Sequence, residues 1–386
     1  MSLRLSLAPT RVLLLVAAAI LLGALGILLL SARTLTDRLS LFHDLPLPAG
    51  SSDVLLSRGG TLAVIATVTF DREGGRPARV LQVVDPRASR AVWRRWLPAP
   101  ACCALPVLAM TPGGDMIALG GAEQTDVYNR QGVRLFATGL DDGRLHSAAD
   151  IDNAGRWLVI GEWEGTLAAF ESGRGRLWMR SGGESVMAVA VAGSGGVVAA
   201  ALRDRVLLLR LGDGAALHEI PYGPARIAAV SISADGTLVG LVWKREDGRM
   251  VAEALSGGRR RWTRVLGPGS VPLLQMDEQG RWLAVGDLLG RQAALLGPRG
   301  EATWRAPGPE RVAAAVAPDG RWFAIARGAV IEVRMLPSGR IVWRGRSPGT
   351  VHLLRLAGGR LAVLGSADPD AGIPDRAWFA YISSLR

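Results

Sequence analysis

From residue 50 onward, polar and apolar positions alternate in a long rhythm: a short polar turn ending in Gly, then five to eight largely apolar residues. The motif reads SRGGTLAVIA, TPGGDMIALG, DNAGRWLVIG, GSGGVVAAAL, SADGTLVGLV, DEQGRWLAVG, APDGRWFAIA and LAGGRLAVLG. Its turn glycines are Gly60, Gly114, Gly155, Gly196, Gly236, Gly280, Gly320 and Gly359, so successive gaps are 54, 41, 41, 40, 44, 40 and 39 residues. A period near forty belongs to propeller blades or to helical arrays. The runs are rich in β-branched residues, punctuated by Gly, Pro and Asp, and free of a sustained helical period, which predicts strands and argues against the arrays. Asp235-Gly236 and Asp319-Gly320 suit tight hairpins, because Gly accepts positive φ without a Cβ clash.

A second signal keeps phase with the first. Gly-x-x-x-Trp recurs at Gly258 to Trp262, Gly300 to Trp304 and Gly339 to Trp343, with relatives at Trp93 and Trp178. At the equivalent place one repeat has Gly132 to Phe136 and another Gly214 to His218. On these residues the chain resembles the quinoprotein-like, or pyrroloquinoline-quinone-type, β-propeller repeat superfamily, and Ser338-Gly339-Arg340-Ile341-Val342-Trp343 matches its turn well. The resemblance covers nearly all of residues 50–386 and implies the fold, not an activity. It implies that Trp93, Trp178, Trp262, Trp304 and Trp343 pack between neighbouring blades. The Gly-His and Trp-Asp signatures of WD-repeat proteins, which share the strand-turn rhythm, are absent.

Four strands per unit give an all-β, eight-bladed propeller over residues 51–386, with seven blades as the alternative because the first gap is long. The last unit, from Thr350, has about three strands, and Leu41 to Pro48 is the candidate for its missing outer strand. Closure by the opposite terminus removes exposed sheet edges. Ahead of the ring, Val12 to Ser31 reads VLLLVAAAILLGALGILLLS, twenty uncharged residues, enough to span a ~30 Å hydrocarbon layer. The expected organisation is a tail at 1–11, one transmembrane anchor helix at 12–32, a linker with the ring-closing strand at 33–50, then the propeller. A cleaved signal peptide, the competing reading, has a shorter apolar region and a small-residue cleavage site. Arg4 and Arg11 before the span nearly balance Arg33 and Arg38 after it, so the flanking charges do not orient it. The expectation is a bacterial inner-membrane protein, single pass, with a periplasmic propeller.

Net charge is +11, and of the 45 basic residues all but Lys244 are Arg, a bias of the kind codon usage produces. The functional reading is attraction to anionic headgroups or acidic proteins; no basic helix or aromatic-basic platform points to nucleic acid. Cys102 and Cys103 are adjacent, so they build neither a disulfide framework nor a zinc site. Quinoprotein alcohol dehydrogenases of the same superfamily carry an adjacent-cysteine disulfide over the cofactor, but Ala104-Leu105-Pro106-Val107 departs from their continuation, and no calcium-ligand set accompanies it. The pair reads better as two small apolar residues near a blade boundary, with no cofactor expected.

His43, His146, His218 and His352 are scattered, without metal-ligand spacing, and no metal is expected. His218 occupies the Trp slot of its blade and reads as structural. The stretch Asp368 to Asp375 resembles part of a calcium loop but lacks the later Glu; its prolines fit a long hairpin in the last blade. Trp157, Trp282 and Trp322 follow the turn glycine by two places and read as packing residues. Arg156, Arg281 and Arg321 precede them and are candidates for a basic interaction rim, or for solvated turn arginines. No serine-hydrolase elbow, zinc-protease helix, phosphate loop or Cys-x-x-Cys pair is present. The expected function is therefore non-enzymatic: a membrane-tethered scaffold or accessory subunit that contacts a protein in an envelope complex. The alternatives are a small membrane-bound quinoprotein-like enzyme and a sugar- or peptidoglycan-binding propeller.

Overall fold

The computed structural model describes residues 43–382, apart from 49, 71–74, 76, 89, 99–106, 122–123, 140–144, 182, 224–225, 270–271, 288–291, 308–309 and 369–373. The expected anchor segment 12–32 lies outside them, and so do Cys102 and Cys103. Among the described residues no helix is long and apolar enough to cross a membrane.

Among the described residues, thirty-two strands form eight four-stranded antiparallel sheets. Blades 1 to 7 are consecutive meanders over residues 51–98, 107–138, 146–181, 186–221, 226–268, 272–307 and 312–346. Blade 8 takes three strands from residues 350–381 and its outer strand from His43–Pro46, which pairs antiparallel with Arg376–Tyr381 in the register His43 to Phe379 and Pro46 to Arg376. The closing strand is thus the centre of the expected 41–48 segment. The eight-blade expectation holds, and the long first gap arises from second and third strands of eight and nine residues plus the link to blade 2.

Burial follows position in the blade. Second and third strands are covered on both faces by neighbouring blades, so Thr166–Glu171 is buried throughout and Trp157–Glu162 nearly so. That sandwiching explains why these runs read as continuous apolar stretches without alternation. Outer strands are mostly exposed, as in Gly175–Ser181. The closure is welded by apolar packing: Leu45 and Leu47 join Val54 and Ile65 of blade 1 and Leu353, Leu364 and Phe379 of blade 8 in one core cluster. Burying each such side chain contributes about 1.5–3 kcal/mol.

Antiparallel strand order sets the first and third turns of a blade on one face of the ring. In five blades the first turn is capped by a side chain three residues before its glycine. Ser57 Oγ accepts from Leu62 N–H at 3.0 Å, Thr111 Oγ1 from Met116 N–H at 3.1 Å, Asp152 Oδ1 from Trp157 N–H at 2.8 Å and Asp277 Oδ1 from Trp282 N–H at 2.7 Å. These are the side-chain-to-backbone turns that Asp, Ser and Thr favour. Turns of successive blades are then stitched together, Ser194 N–H donating to Ala234 O at 2.9 Å, Ala234 to Glu278 O at 2.8 Å and Glu278 to Pro318 O at 2.9 Å.

Candidate interaction surfaces

At four joints, those of blades 1 and 2, 3 and 4, 4 and 5, and 5 and 6, an outer-strand side chain is seated on the third turn of the next blade. Trp93 Nε1–H donates to Arg130 O at 2.8 Å, Trp178 to Leu211 O at 2.6 Å and Trp262 to Pro298 O at 3.1 Å. A Cβ at Gly214 would stand 2.7 Å from Trp178, so only glycine allows the ring to lie there. His218 uses the same seat: a Cβ at Gly258 would stand 2.4 Å from its ring. The joint between blades 6 and 7 differs. Nothing lies within 4 Å of a Cβ at Gly339, and Trp304 instead meets Phe323 at 6.3 Å between ring centroids, with the Arg327 guanidinium 5.7 Å from its own. Trp343 packs partly buried against the cluster that holds Trp378 and Ile382.

One third-strand position carries an acid in three blades: Asp126, Glu253 and Glu332, each directly preceding the residue opposite the docking side chain. Asp126 is paired with Arg134 at 2.7 Å, and Arg79 of blade 1, buried, reaches Gly120 O beside it at 2.5 Å. Glu253 is 1% exposed and accepts from Tyr222 Oη–H at 2.6 Å, Arg260 Nε–H at 3.0 Å and Thr263 Oγ1–H at 3.3 Å. Tyr222 comes from the link out of blade 4, meets Trp243 edge-on at 5.8 Å, and has Arg260 over its ring at 5.1 Å. Burial, followed by the Glu253 hydrogen bond, pushes its phenol above the ordinary tyrosine range.

Glu332 is paired with Arg334 at 2.5 Å and with Arg344. Burial acts to raise its carboxyl, but the hydrogen bonds from Arg334 and Arg344 outweigh it and hold the group below its ordinary value. It faces an open cleft of about 390 Å³ lined by Trp304, Glu310, Ile325, Arg327, Val330, Arg334 and Arg344.

The ring is irregular on this side. The inner strand of blade 7, Val312–Val316, stacks mainly on the second and third strands of blade 6, whereas elsewhere inner strands stack on inner strands. The inner strand of blade 6 leans across the axis instead: Leu273 packs on the blade 8 and 1 cluster, Gln275 Nε2–H donates to Leu354 O at 3.1 Å, and Glu278 pairs with Arg58 of blade 1 at 2.6 Å.

The candidate rim arginines lie on the first-turn face in blades 3, 6 and 7. Arg156 pairs with Glu171 at 2.9 Å and lies 4.7 Å over Trp157; Arg281 pairs with Asp277 at 3.2 Å and donates to Asp319 O of the next blade at 3.0 Å. Arg321 is exposed. Trp157 and Trp322 open the second strands behind them, Trp282 stands just before its own, and all three are packed against core clusters.

The charge is distributed by position. The eight outer strands carry thirteen arginines against two acids, Asp44 and Glu219. The third strands just inside are near balance, with five acids and six arginines. Arginine is thus concentrated on the exposed outer strands, where the functional reading of the charge needs it. Among these arginines stand Val92, Trp96, Leu135 and Met179, all at least 46% exposed on blades 1 to 3. Strand edges are often protected by charge, but protection needs neither one sign nor exposed aromatic and thioether groups.

The remaining titratable groups serve the joints. Asp150, on the inner strand of blade 3, accepts from Ile151 N–H at 2.9 Å and Val191 N–H of blade 4 at 2.7 Å; burial pushes it up to about 6. His352 Nδ1 accepts from Arg311 at 2.8 Å, and burial, aided by that guanidinium, lowers it to about 4. His146 is buried beside Thr125 Oγ1 at 2.8 Å and Glu162 at 4.0 Å, and His43 is exposed on the closing strand. Among the described residues no group of three His, Cys, Asp or Glu side chains is placed to hold a metal. The acidic stretch after Asp368 joins the second and third described strands of blade 8, and Asp375 Oδ1 accepts from Ala367 N–H at 3.2 Å.

No protein-family model matches the sequence, and no curated protein matches it. Among solved structures, the chain is similar to BamB from Moraxella catarrhalis, with a TM-score of 0.58 and 13% identity over 87% of this chain and 100% of that one. It is also similar to a chain of the mitotic checkpoint complex, with a TM-score of 0.54 and 13% identity over 72% of this chain and 86% of that one. At such identity the likeness establishes the β-propeller fold, in agreement with the repeat resemblance, and nothing further.

Proposed function

We propose that this chain is a non-enzymatic scaffold or accessory subunit: a β-propeller held at a bacterial inner membrane by its 12–32 segment, facing the periplasm, and binding an acidic face of another membrane-complex protein. The observation that carries the reading is the outer belt, where thirteen arginines and two acids accompany exposed Trp96 and Met179. Arg, Trp and Met are the side chains enriched in protein interfaces, and a rigid ring holds them at fixed spacing. The rim at Arg156, Arg281 and Arg321 is a secondary contact in this proposal. One structural neighbour is itself a chain of a multi-protein assembly, the mitotic checkpoint complex, which is consistent with such a role.

The test is gentle-detergent purification of the full-length protein from its native membrane, with mass spectrometry and an absorption spectrum of the eluate. The expected result is a stoichiometric acidic protein partner that dissociates when ionic strength rises from about 0.1 M to 1 M, where screening shortens to about 3 Å, and that is lost in an Arg259→Glu, Arg261→Glu, Arg264→Glu variant. A lone protein carrying quinone absorbance would overturn the proposal.

A further inference from the structure

We infer that the cleft between blades 6 and 7 is a receptor for a tyrosine side chain presented by a protein partner. The existence of that partner rests on the scaffold reading; the chemistry of the site does not. Its warrant is internal, because the joint between blades 4 and 5 already performs the same recognition with the chain's own Tyr222.

Strand register gives the two joints a carboxylate and an aliphatic wall in common and rebuilds the rest. Glu332 stands where Glu253 stands, Ile325 where Leu241 stands, and Arg344 where Thr263 stands. The guanidinium that braces the carboxylate is kept in effect but moved across the hairpin: Arg334 occupies the position of Leu255, and Ile341 that of Arg260. Among the described residues the phenol has no counterpart. Tyr222 follows the docking residue His218 by four places, and the residue four places after Trp304 is Gly308. The cleft of about 390 Å³ is thus walled for a phenol that the chain supplies at one joint and not at the other.

The electrostatics agree. An ionised carboxylate has about four acceptor sites, so Glu332 can take a hydroxyl beside its arginines, as Glu253 Oε1 takes both Tyr222 and Arg260. Arg327 stands where Trp243 stands, so the aromatic wall comes instead from Trp304, with the Arg327 guanidinium over it. An isolated anion fits less well, because it would compete with Glu332 for Arg334 and Arg344.

The experiment is a ligand-observed NMR titration of the full chain with N-acetyl-L-tyrosinamide, with N-acetyl-L-phenylalaninamide as control and inorganic phosphate as competitor. The tyrosine amide is expected to bind at least tenfold tighter than the phenylalanine amide, the ratio set by one hydrogen bond to a charged acceptor. Glu332→Gln should erase that ratio. Val330→Trp, at a position 40% exposed on the cleft wall, should block both amides without lowering Tm. No saturable binding, equal binding of the two amides, binding that survives Val330→Trp, or displacement by equimolar phosphate would each overturn the inference. None of these outcomes bears on whether a partner copurifies, so the two proposals fail separately.

Discussion

Two joints of the ring, two blades apart, use the same parts to opposite ends. Between blades 4 and 5, His218 sits on Gly258, Tyr222 closes over Glu253, and the carboxylate is 1% exposed. Between blades 6 and 7, Gly339 has no ring upon it, the inner strand of blade 7 has slid outward along blade 6, and Glu332 faces an open cleft. The difference teaches that a repeat fold does not spread its stability evenly. Four-stranded blades sandwiched between neighbours tolerate one loosened joint, provided the ring is braced elsewhere. Here the brace is the inner strand of blade 6, tied across the axis through Leu273, Gln275 and Glu278.

The largest effect should come from opening the closed joint. Tyr222→Ala removes a buried aromatic and leaves Glu253 one donor short, so urea denaturation should show a loss of about 3–5 kcal/mol. Added p-cresol should restore part of it through binding to the folded state. A smaller loss, about 1–3 kcal/mol, is expected for Glu253→Gln, against about 0–1 kcal/mol for Glu332→Gln, whose partner Arg344 is half exposed. Equal losses at the two carboxylates would break the comparison. Alanine at the two turn glycines makes the same contrast: both carry positive φ, +74° and +69°, costing about 1–2 kcal/mol each. Gly258→Ala should cost more than Gly339→Ala because only the former drives a methyl into a seated ring.

The smallest effect is in pH. Asp150 binds its proton more tightly folded, near 6 against 3.8, so its contribution is full below 3.8 and lost as pH rises through about 6. His352 is the reverse, near 4 against 6.5: its contribution is present above 6.5 and lost as pH falls towards 4. The two oppose each other across the same window. Relative to the wild type, Asp150→Asn should lose more stability between pH 7 and pH 4.5, and His352→Gln less, in chemical denaturation at each pH.

Much of this architecture is legible in residue order. The turn glycines mark the blades, the Gly-x-x-x-Trp phase marks the docking side chains, and the short last repeat points to closure by the N-terminal segment. His218 is recognisable in a tryptophan slot because the slot is defined by phase, whatever fills it. The turn caps hold one position in the repeat too, at Ser57, Thr111, Asp152, Ser233 and Asp277, but Ala192 and Ala317 leave it uncapped in two blades and three residue types share it in the others, so the signal is fainter. Other features need the strand register. Asp126, Glu253 and Glu332 share no local motif, and the contrast of Tyr222 with Gly308 has meaning only once both are counted from a seated residue. The arginine belt is hidden by composition, because a chain with one lysine shows excess arginine everywhere until outer strands are separated from inner ones. The slide of blade 7 depends on packing across the axis, which no single repeat encodes.

The claim that the outer belt is the partner-binding surface is tested most directly by site-specific photo-crosslinking in the native membrane, with the reactive group placed at Trp96 on the belt or at Arg321 on the turn face. The account predicts one acidic protein captured in stoichiometric yield from position 96 and little from position 321. Capture from 321 alone, or no protein adduct at 96, would contradict it.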